Sequence, residues 1–128
     1  MKQEQLETSM DCIFCKITAG EIPCYKVWED KNFLAFLDIH PVSAGHTLVI
    51  PKKHFRWVWD IENYSEYWEK VRQVARLLKE KLGAEWIQVS VMGIDIPHAH
   101  VHLIPHFLDK DQEEDKENLQ QICQRIKP

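Results

Sequence analysis

The most informative stretch of the chain runs from residue 98 to residue 105 and reads His98-Ala99-His100-Val101-His102-Leu103-Ile104-Pro105. In an extended chain, successive side chains point to opposite faces, so the three histidines share one face and the apolar residues between them share the other. The apolar face is suited to a hydrophobic core. Three imidazoles, whose ordinary pKa lies close to physiological pH, have little use in packing alone. We therefore predict a strand here that carries the functional site.

The residues alone leave three chemical interpretations of the histidine face open. A neutral imidazole nitrogen can attack phosphorus, and His100 has a ring on each side that could fix its tautomer, donate a proton and offset phosphate charge. The same residue type chelates metal ions, and alternating histidines can also lie on a plain surface. The apolar residues between the histidines, with Pro97 and Pro105 at the borders, favour a dedicated site.

Composition indicates a single globular domain of ordinary hydrophobicity. The chain has 128 residues and a formal net charge of −4, which gives no field that favours nucleic acid or an anionic membrane. No apolar run is long enough to span a bilayer, and the polar residues 1–5 are unlike a signal peptide. We expect a cytoplasmic protein with no nucleic-acid or membrane partner. Its four cysteines are then expected to be reduced thiols or metal ligands.

Hydrophobic patterning predicts an α+β domain with an antiparallel sheet of about five strands, one long helix and one short helix, the sheet being covered on one face. The predicted strands lie at residues 26–29, 33–37, 47–50, 86–91 and 98–104. The long helix ends at Gly83, and its predicted apolar stripe consists of Tyr64, Trp68, Val71, Ala75, Leu78 and Leu82. Residues 1–10 are predicted to be a disordered lead, residues 11–107 the domain, and residues 108–128 an acidic segment with a short C-terminal helix.

The sequence around the histidines resembles a known family. The run from His98 to Ile104 matches the signature His-φ-His-φ-His-φ-φ of the histidine triad (HIT) family, in which φ is an apolar residue. Residues 11–23, 34–39 and 45–54 are similar to the opening and central segments of Hint-like members, in the same order. The resemblance covers roughly residues 11–107 and implies a HIT-like fold.

The resemblance implies a different role for each histidine of the site. The middle histidine of the triad is the family's nucleophile, so His100 is expected to form a covalent intermediate with a nucleoside monophosphate. The third, His102, is expected to assist the phosphate and the leaving group. His98 completes the catalytic triad, and His46, in the Gly-His-Thr segment, is expected to support it from behind.

The resemblance also implies a nucleotide site. Asp38 falls at the position of the family's ribose-binding acid, where a carboxylate can accept hydrogen bonds from both ribose hydroxyls. Phe14, Ile17 and Phe36 match the apolar positions around the base. Ordinary core packing is the alternative for these three residues.

Cys12 and Cys15 form a Cys-x-x-Cys pair, which from spacing alone is compatible with zinc, with redox chemistry or with no special role. Many bacterial relatives complete a zinc site with the histidine that ends a Pro-Lys-x-His segment and with the first triad histidine. The resemblance therefore implies a ligand set of Cys12, Cys15, His54 and His98. Four protein ligands leave no open position, so the expected zinc is structural.

The chain departs from the family just before the triad. Typical members have a glycine-rich loop with Asn and Gln there, whereas this chain has the short link Val91-Met92-Gly93-Ile94-Asp95-Ile96-Pro97. Asp95 falls where a phosphate-contacting group is expected. A carboxylate at that position repels phosphate unless only the backbone N–H points inward.

Two functional hypotheses follow from these observations. The first is a nucleotide hydrolase or transferase acting on nucleoside phosphoramidates, phosphosulfates or dinucleotides, with a purine nucleotide or nucleotide conjugate as its ligand. The alternative is a zinc-stabilised nucleotide-binding or scaffold protein with weak or no catalysis. Hint-like proteins dimerise through helices and sheet edges, so we also expect a homodimer, with Trp68 either in the core or at the interface.

Overall fold

The computed structural model describes residues 12–108 and 117–128 of the chain. The predicted disordered lead at residues 1–10 and most of the predicted acidic segment lie outside these residues. In chain order the elements are α1 (Ile13–Thr18), β1 (Lys26–Glu29), β2 (Phe33–Leu37), β3 (Thr47–Pro51), a 3-10 turn (Val58–Asp60), α2 (Tyr64–Leu82), β4 (Trp86–Val91), β5 (Val101–His106) and α3 (Leu119–Ile126).

The five strands form one sheet in which each neighbouring pair is antiparallel. The strand order is β1-β2-β3-β5-β4, so β5 lies between β3 and β4. His102 on β5 is opposite Leu48 of β3 and Ser90 of β4. The predicted α+β fold with a five-stranded antiparallel sheet is confirmed, and the end of the histidine run lies inside the sheet.

The middle of the sheet is covered on both faces, as the side chains of β2 make clear. Phe33, Ala35 and Leu37 belong to the larger hydrophobic cluster beneath α2 and α3. Leu34 and Phe36 belong to a second cluster on the other face, which includes the start of α1. The prediction that only one face is covered is therefore wrong. The continuous apolar run of β2 is typical of a strand that is buried on both faces.

Helix α2 packs on the larger cluster and ends where the sequence predicts. Leu82 is followed by Gly83 at φ +72°, a left-handed conformation that glycine adopts without steric cost. The buried side chains of α2 are Tyr67, Val71, Val74, Leu78 and Leu82. The predicted stripe is wrong at Tyr64, which is exposed, and Trp68 and Ala75 are only partly buried. Tyr67, the neighbour of Trp68, faces the sheet instead, and the Tyr67 hydroxyl donates a hydrogen bond to the carbonyl of Val49 at 2.7 Å.

The predicted C-terminal helix is confirmed as α3. It begins with a capping box, in which Asn118 and Gln121 each accept a hydrogen bond from the other's backbone N–H. Ile122, Cys123 and Ile126 are buried in the larger cluster, so α3 is part of the same core as the sheet. Within residues 12–108 and 117–128, no helix is both long and apolar enough to cross a bilayer.

Candidate active site and metal centre

The histidine stretch spans the end of a loop and the first residues of β5. The strand begins at Val101 rather than at His98, because the N–H of Ala99 donates to the carbonyl of Phe55 at 2.6 Å and not to a neighbouring strand. The predicted alternation nevertheless holds, since Ala99 and Val101 lie in the larger core cluster. His98, His100 and His102 are 0%, 1% and 9% exposed, which excludes plain surface histidines.

His98 belongs to a cluster with two cysteines. Its Nε2 lies 2.8 Å from the carbonyl oxygen of Pro51, which can only accept, so Nε2 carries the proton and Nδ1 has a free lone pair. That Nδ1 lies 3.2 Å from Sγ of Cys12 and 3.5 Å from Sγ of Cys15. Nδ1 of His54 lies 3.3 Å from Sγ of Cys15. Burial lowers the pKa of His98 to about 4, which keeps the ring neutral at physiological pH.

These four side chains fit a tetrahedral metal ion. Their ligand atoms all lie within 4.8 Å of one another. Zinc bonds to sulfur and nitrogen in a tetrahedral site place the two ligand atoms about 3.6 Å apart, close to the sulfur–nitrogen distances above. Burial, followed by the neighbouring Cys12, raises the pKa of Cys15 to about 12. A cation beside the sulfurs is what would stabilise the thiolate form at this depth. The proton on Nε2 of His98 is held by Pro51, as is usual for a metal-binding histidine.

His100 has the opposite tautomer from His98. Its Nδ1 lies 2.7 Å from the carbonyl oxygen of His98 and must donate to it, which leaves the lone pair on Nε2. Among the described residues, Nε2 of His100 has no hydrogen-bond partner. Oδ1 of Asp95 lies 3.5 Å from this atom, beyond a good hydrogen bond. The Phe14 ring and the imidazole pack edge to face, with 5.2 Å between their centroids. In the neutral ring, a buried nitrogen with a lone pair is thus fixed in one orientation.

A hydrogen bond from His46 determines the tautomer of His102. The N–H of Val42 donates to Nδ1 of His46 at 3.0 Å, so the proton of the neutral His46 ring is on Nε2. That nitrogen donates to Nδ1 of His102 at 3.0 Å, which leaves the proton of His102 on its own Nε2. Burial lowers the pKa of both rings, and Asp38, with Oδ2 3.6 Å from Nε2 of His46, acts in the opposite direction. The result is a proton donor beside the lone pair of His100.

A cavity of about 620 Å³ has His100 and His102 among its lining residues. The cavity walls contain every side chain that the sequence predicts for nucleotide binding, namely Phe14, Ile17, Phe36, Asp38 and Asp95. Phe14 and Phe36 are also buried in the second core cluster, with their rings 5.5 Å apart, so packing and lining are not alternatives for them. Sequence reasoning missed Ile22, Tyr25 and Ile39 on the same walls. Ile22 and Ile39 belong to segments that resemble the family, but nothing in the sequence marked any of the three as a lining residue, because a lining position in a loop has no periodicity.

The comparisons with known proteins agree with this geometry. The HIT domain family matches residues 19–109, which is most of the chain. This chain is a member of the HIT domain family.

Individual HIT proteins are similar over most of their length. Protein hit of Bacillus subtilis is 42% identical over 106 residues, covering 76% of this chain and 72% of that protein. The adenosine 5′-monophosphoramidase hnt1 of Schizosaccharomyces pombe is 38% identical over 101 residues, covering 75% and 74%. The crystal structure of a zinc-bound histidine triad family protein from Mycobacterium smegmatis superposes with a TM-score of 0.79 at 28% identity, over 91% of each chain.

The short link before the triad of this HIT domain is held by a pair of residues that sequence reasoning missed. Arg56 donates to the carbonyl of Gly93 at 2.7 Å, and its guanidinium lies 3.8 Å from the centre of the Trp57 ring. Gly93 has φ +99°, and a Cβ there would lie 2.9 Å from that ring. The link therefore follows a path that only glycine allows, and this path brings Asp95 to His100. Nothing in the local sequence pattern indicates a contact between residues 37 positions apart.

Proposed function

We propose that this HIT protein is a nucleotide hydrolase or transferase that cleaves nucleoside phosphoramidates or dinucleotides through a covalent nucleotidyl intermediate on His100. The observation that carries the proposal is the buried Nε2 of His100, which has a lone pair and belongs to a residue that lines the cavity. Similarity to an adenosine 5′-monophosphoramidase supports a nucleotide substrate with a phosphorus–nitrogen bond.

The first step forms a bond between Nε2 of His100 and the α-phosphorus and breaks the bond from phosphorus to the leaving nitrogen or oxygen. The leaving nitrogen or oxygen takes up a proton from solvent water as its bond to phosphorus breaks. The Nε2–H of His102 donates a hydrogen bond to this atom and offsets the negative charge that develops on it, while the His102 ring stays neutral. Water then attacks the phosphorus, gives a proton to solvent and releases the monophosphate, which restores the neutral ring of His100. His46 acts through His102 by keeping the donor proton on the correct nitrogen.

The nucleotide is proposed to lie with its base against the apolar wall of the cavity and its ribose at Asp38. Phe14, Phe36 and Ile17 form part of that wall. One carboxylate oxygen of Asp38 accepts from the N–H of His40 at 2.8 Å, which fixes the side chain and leaves acceptor capacity for the ribose hydroxyls. A purine is the base that covers more of such an apolar surface.

We assign a structural zinc ion to Cys12, Cys15, His54 and His98. A closed set of two thiolates and two imidazoles supplies a cross-link and no open coordination position. The cross-link joins the start of α1, which carries Phe14 to the cavity, to the backbone that fixes His100. We expect one zinc per chain by elemental analysis, lost in Cys12→Ala together with thermal stability and retained in the control Cys24→Ala. Equal zinc content in the two variants would contradict the assignment.

A homodimer is proposed through the free edge of the sheet. Strand β4 is one of the two terminal strands of the sheet, and its Val89 and Val91, on one face, and Trp86, on the other, are 49%, 38% and 53% exposed, which is high for large apolar side chains on one strand. Trp68, which is only partly buried on α2, can contribute to the same interface. We expect a dimer mass by sedimentation equilibrium and a shift toward monomer in Val89→Lys. A monomer at all concentrations for the unchanged protein would contradict the proposal.

The catalytic proposal is tested with adenosine 5′-phosphoramidate and three proteins. We expect release of AMP by the unchanged protein, loss of at least 10³-fold in rate in His100→Ala, and little change in His106→Gln, which replaces a histidine remote from the cavity. Rapid acid quenching and mass spectrometry should detect an adenylylated peptide that contains His100.

A different result would favour the alternative function. Tight nucleotide binding without AMP release by the unchanged protein would identify a nucleotide-binding or scaffold protein. The position of Asp95, 3.5 Å from the proposed nucleophile, is the observation that favours this outcome.

A further inference from the structure

The charges around the cavity are unusual for a site that receives a nucleotide. Among the described residues that line the cavity there are two carboxylates, Asp38 and Asp95, and neither lysine nor arginine. Phosphate sites in proteins usually place cationic side chains around the anion. Asp38 is accounted for by the ribose in the proposed function, whereas Asp95 is not.

Asp95 lies beside the reacting groups of the proposed reaction. Its carboxylate is 3.5 Å from Nε2 of His100 and within 4.8 Å of a ring nitrogen of His102. Within the described part of the chain, Nε2 of His100 and Nε2 of His102 are buried and lack hydrogen-bond partners. Asp95 itself is half-exposed, with 53% of its side chain open to solvent. It is therefore both close to the proposed nucleophile and open to solvent, within reach of a leaving group that departs to solvent.

We propose that Asp95 determines specificity by selecting leaving groups that carry a positive charge. The substrate class is a nucleoside phosphoramidate whose leaving amine has a second, protonated amino group, as in a nucleotidylated diamine or polyamine. This inference takes the cleaved phosphorus–nitrogen bond from the proposed function. The preference of Asp95 for positively charged leaving groups can be tested independently of it. The carboxylate attracts the distal ammonium and repels leaving groups that are anionic, such as sulfate, a carboxylate or a second phosphate.

The backbone of the link that carries Asp95 is held in place by contacts with residues 56 and 57. The link that carries Asp95 is held by the hydrogen bond from Arg56 to Gly93 and by the close approach of Gly93 to Trp57. The guanidinium of Arg56 is bonded to a backbone carbonyl and stacked on an indole. These contacts place the backbone of the loop that carries the Asp95 carboxylate.

The test uses three substrates with the same adenosine 5′-phosphoramidate group and leaving amines of matched length. These are 1,4-diaminobutane, which leaves a distal cation, butylamine, which is neutral, and 4-aminobutyrate, which leaves a distal anion. Half-exposed charge pairs contribute up to about fivefold each, so the cationic-to-anionic ratio of kcat/KM should lie between about 2 and 30. The ratio should approach 1 in Asp95→Asn and remain unchanged in Asp60→Asn, an exposed acid outside the cavity.

The ratio within each protein is the decisive quantity, because a general loss of activity in Asp95→Asn cancels from it. The ratio should also fall as ionic strength rises. A ratio near 1 in the unchanged protein, or the same ratio in Asp95→Asn, would overturn the proposal.

A separate binding measurement distinguishes this inference from the proposed function. Adenosine 5′-monophosphate esterified with 4-aminobutanol or with butanol offers the same charge difference across a phosphorus–oxygen bond that has a poor leaving group. If none of the phosphoramidates is cleaved, the proposed function fails. Calorimetry with the two esters then decides the inference: tighter binding of the cationic ester that is lost in Asp95→Asn supports it, and equal affinities overturn it.

Discussion

Gly45→Ala is the substitution whose cost the structure defines most closely. Gly45 has φ +88°, and a non-glycine residue in this left-handed region loses about 1–2 kcal/mol. A Cβ would also overlap Cδ1 of Leu82 and lie 3.3 Å from Cγ of Pro105. Leu82 is 5% exposed in the core, so its methyl group cannot move without displacing neighbours. Overpacking of this kind typically costs about 1–3 kcal/mol, so we expect a total loss of about 2–5 kcal/mol in the free energy of unfolding.

The matched control is Gly83→Ala. Gly83 also has a positive φ, but among the described residues, apart from its neighbours along the chain, no heavy atom lies within 4 Å of the position that an alanine Cβ would take there. Urea denaturation of both variants should give a loss of about 1–2 kcal/mol for Gly83→Ala and a further 1–3 kcal/mol for Gly45→Ala, with unchanged m-values. Equal losses in the two variants, within about 0.5 kcal/mol, would refute the reasoning. The close approach of Leu82 would then impose no constraint.

Two further stability predictions concern buried polar groups. Tyr67→Phe removes the hydroxyl that donates to Val49, so we expect a loss of about 1–2 kcal/mol in urea denaturation, and no loss would show that the bond is not needed. In metal-free protein, His98 has its pKa lowered by burial to about 4, below its ordinary value near 6.5 in the unfolded chain. As the pH falls, the unfolded state therefore binds the proton of His98 first. The contribution of His98 to the free energy of unfolding is fully present above pH 6.5 and falls, by up to about 3 kcal/mol, as the pH drops to 4. The pH slope of the unfolding free energy should therefore be smaller in His98→Gln, and an equal slope would contradict the pKa shift.

The strands and helices were largely predictable because their signals are local. The apolar run from Phe33 to Leu37 and the glycine at the end of α2 each act within a few residues. The covering of the second sheet face was not predicted, since it depends on α1 packing against residues far along the chain. The contact of Arg56 with Gly93 was not predicted for the same reason, since the two residues are far apart along the chain. Each such contact joins two segments whose own patterns are ordinary, and only the folded chain brings them together.

The three histidines show why a functional site is harder to predict than a strand. Their spacing is regular, and nothing in the sequence distinguishes one ring from the next apart from the family resemblance. In the structure the backbone makes the distinction. The carbonyl of Pro51 holds the proton of His98 on Nε2, whereas the carbonyl of His98 holds the proton of His100 on Nδ1. Through His46, the N–H of Val42 leaves the proton of His102 on Nε2.

The three imidazoles thereby differ: His98 has a lone pair beside the two cysteines, His100 has a lone pair on Nε2, and His102 has a donor on Nε2. This difference does not require different pKa values, because a neutral ring becomes either a donor or an acceptor at a given nitrogen according to what the other nitrogen contacts. A substitution that keeps all three histidines but moves one of these backbone groups should therefore impair the site as much as loss of a histidine. Gly45 precedes His46 in the loop that also contains Val42. We therefore expect Gly45→Ala to impair the site as well as the stability of the protein.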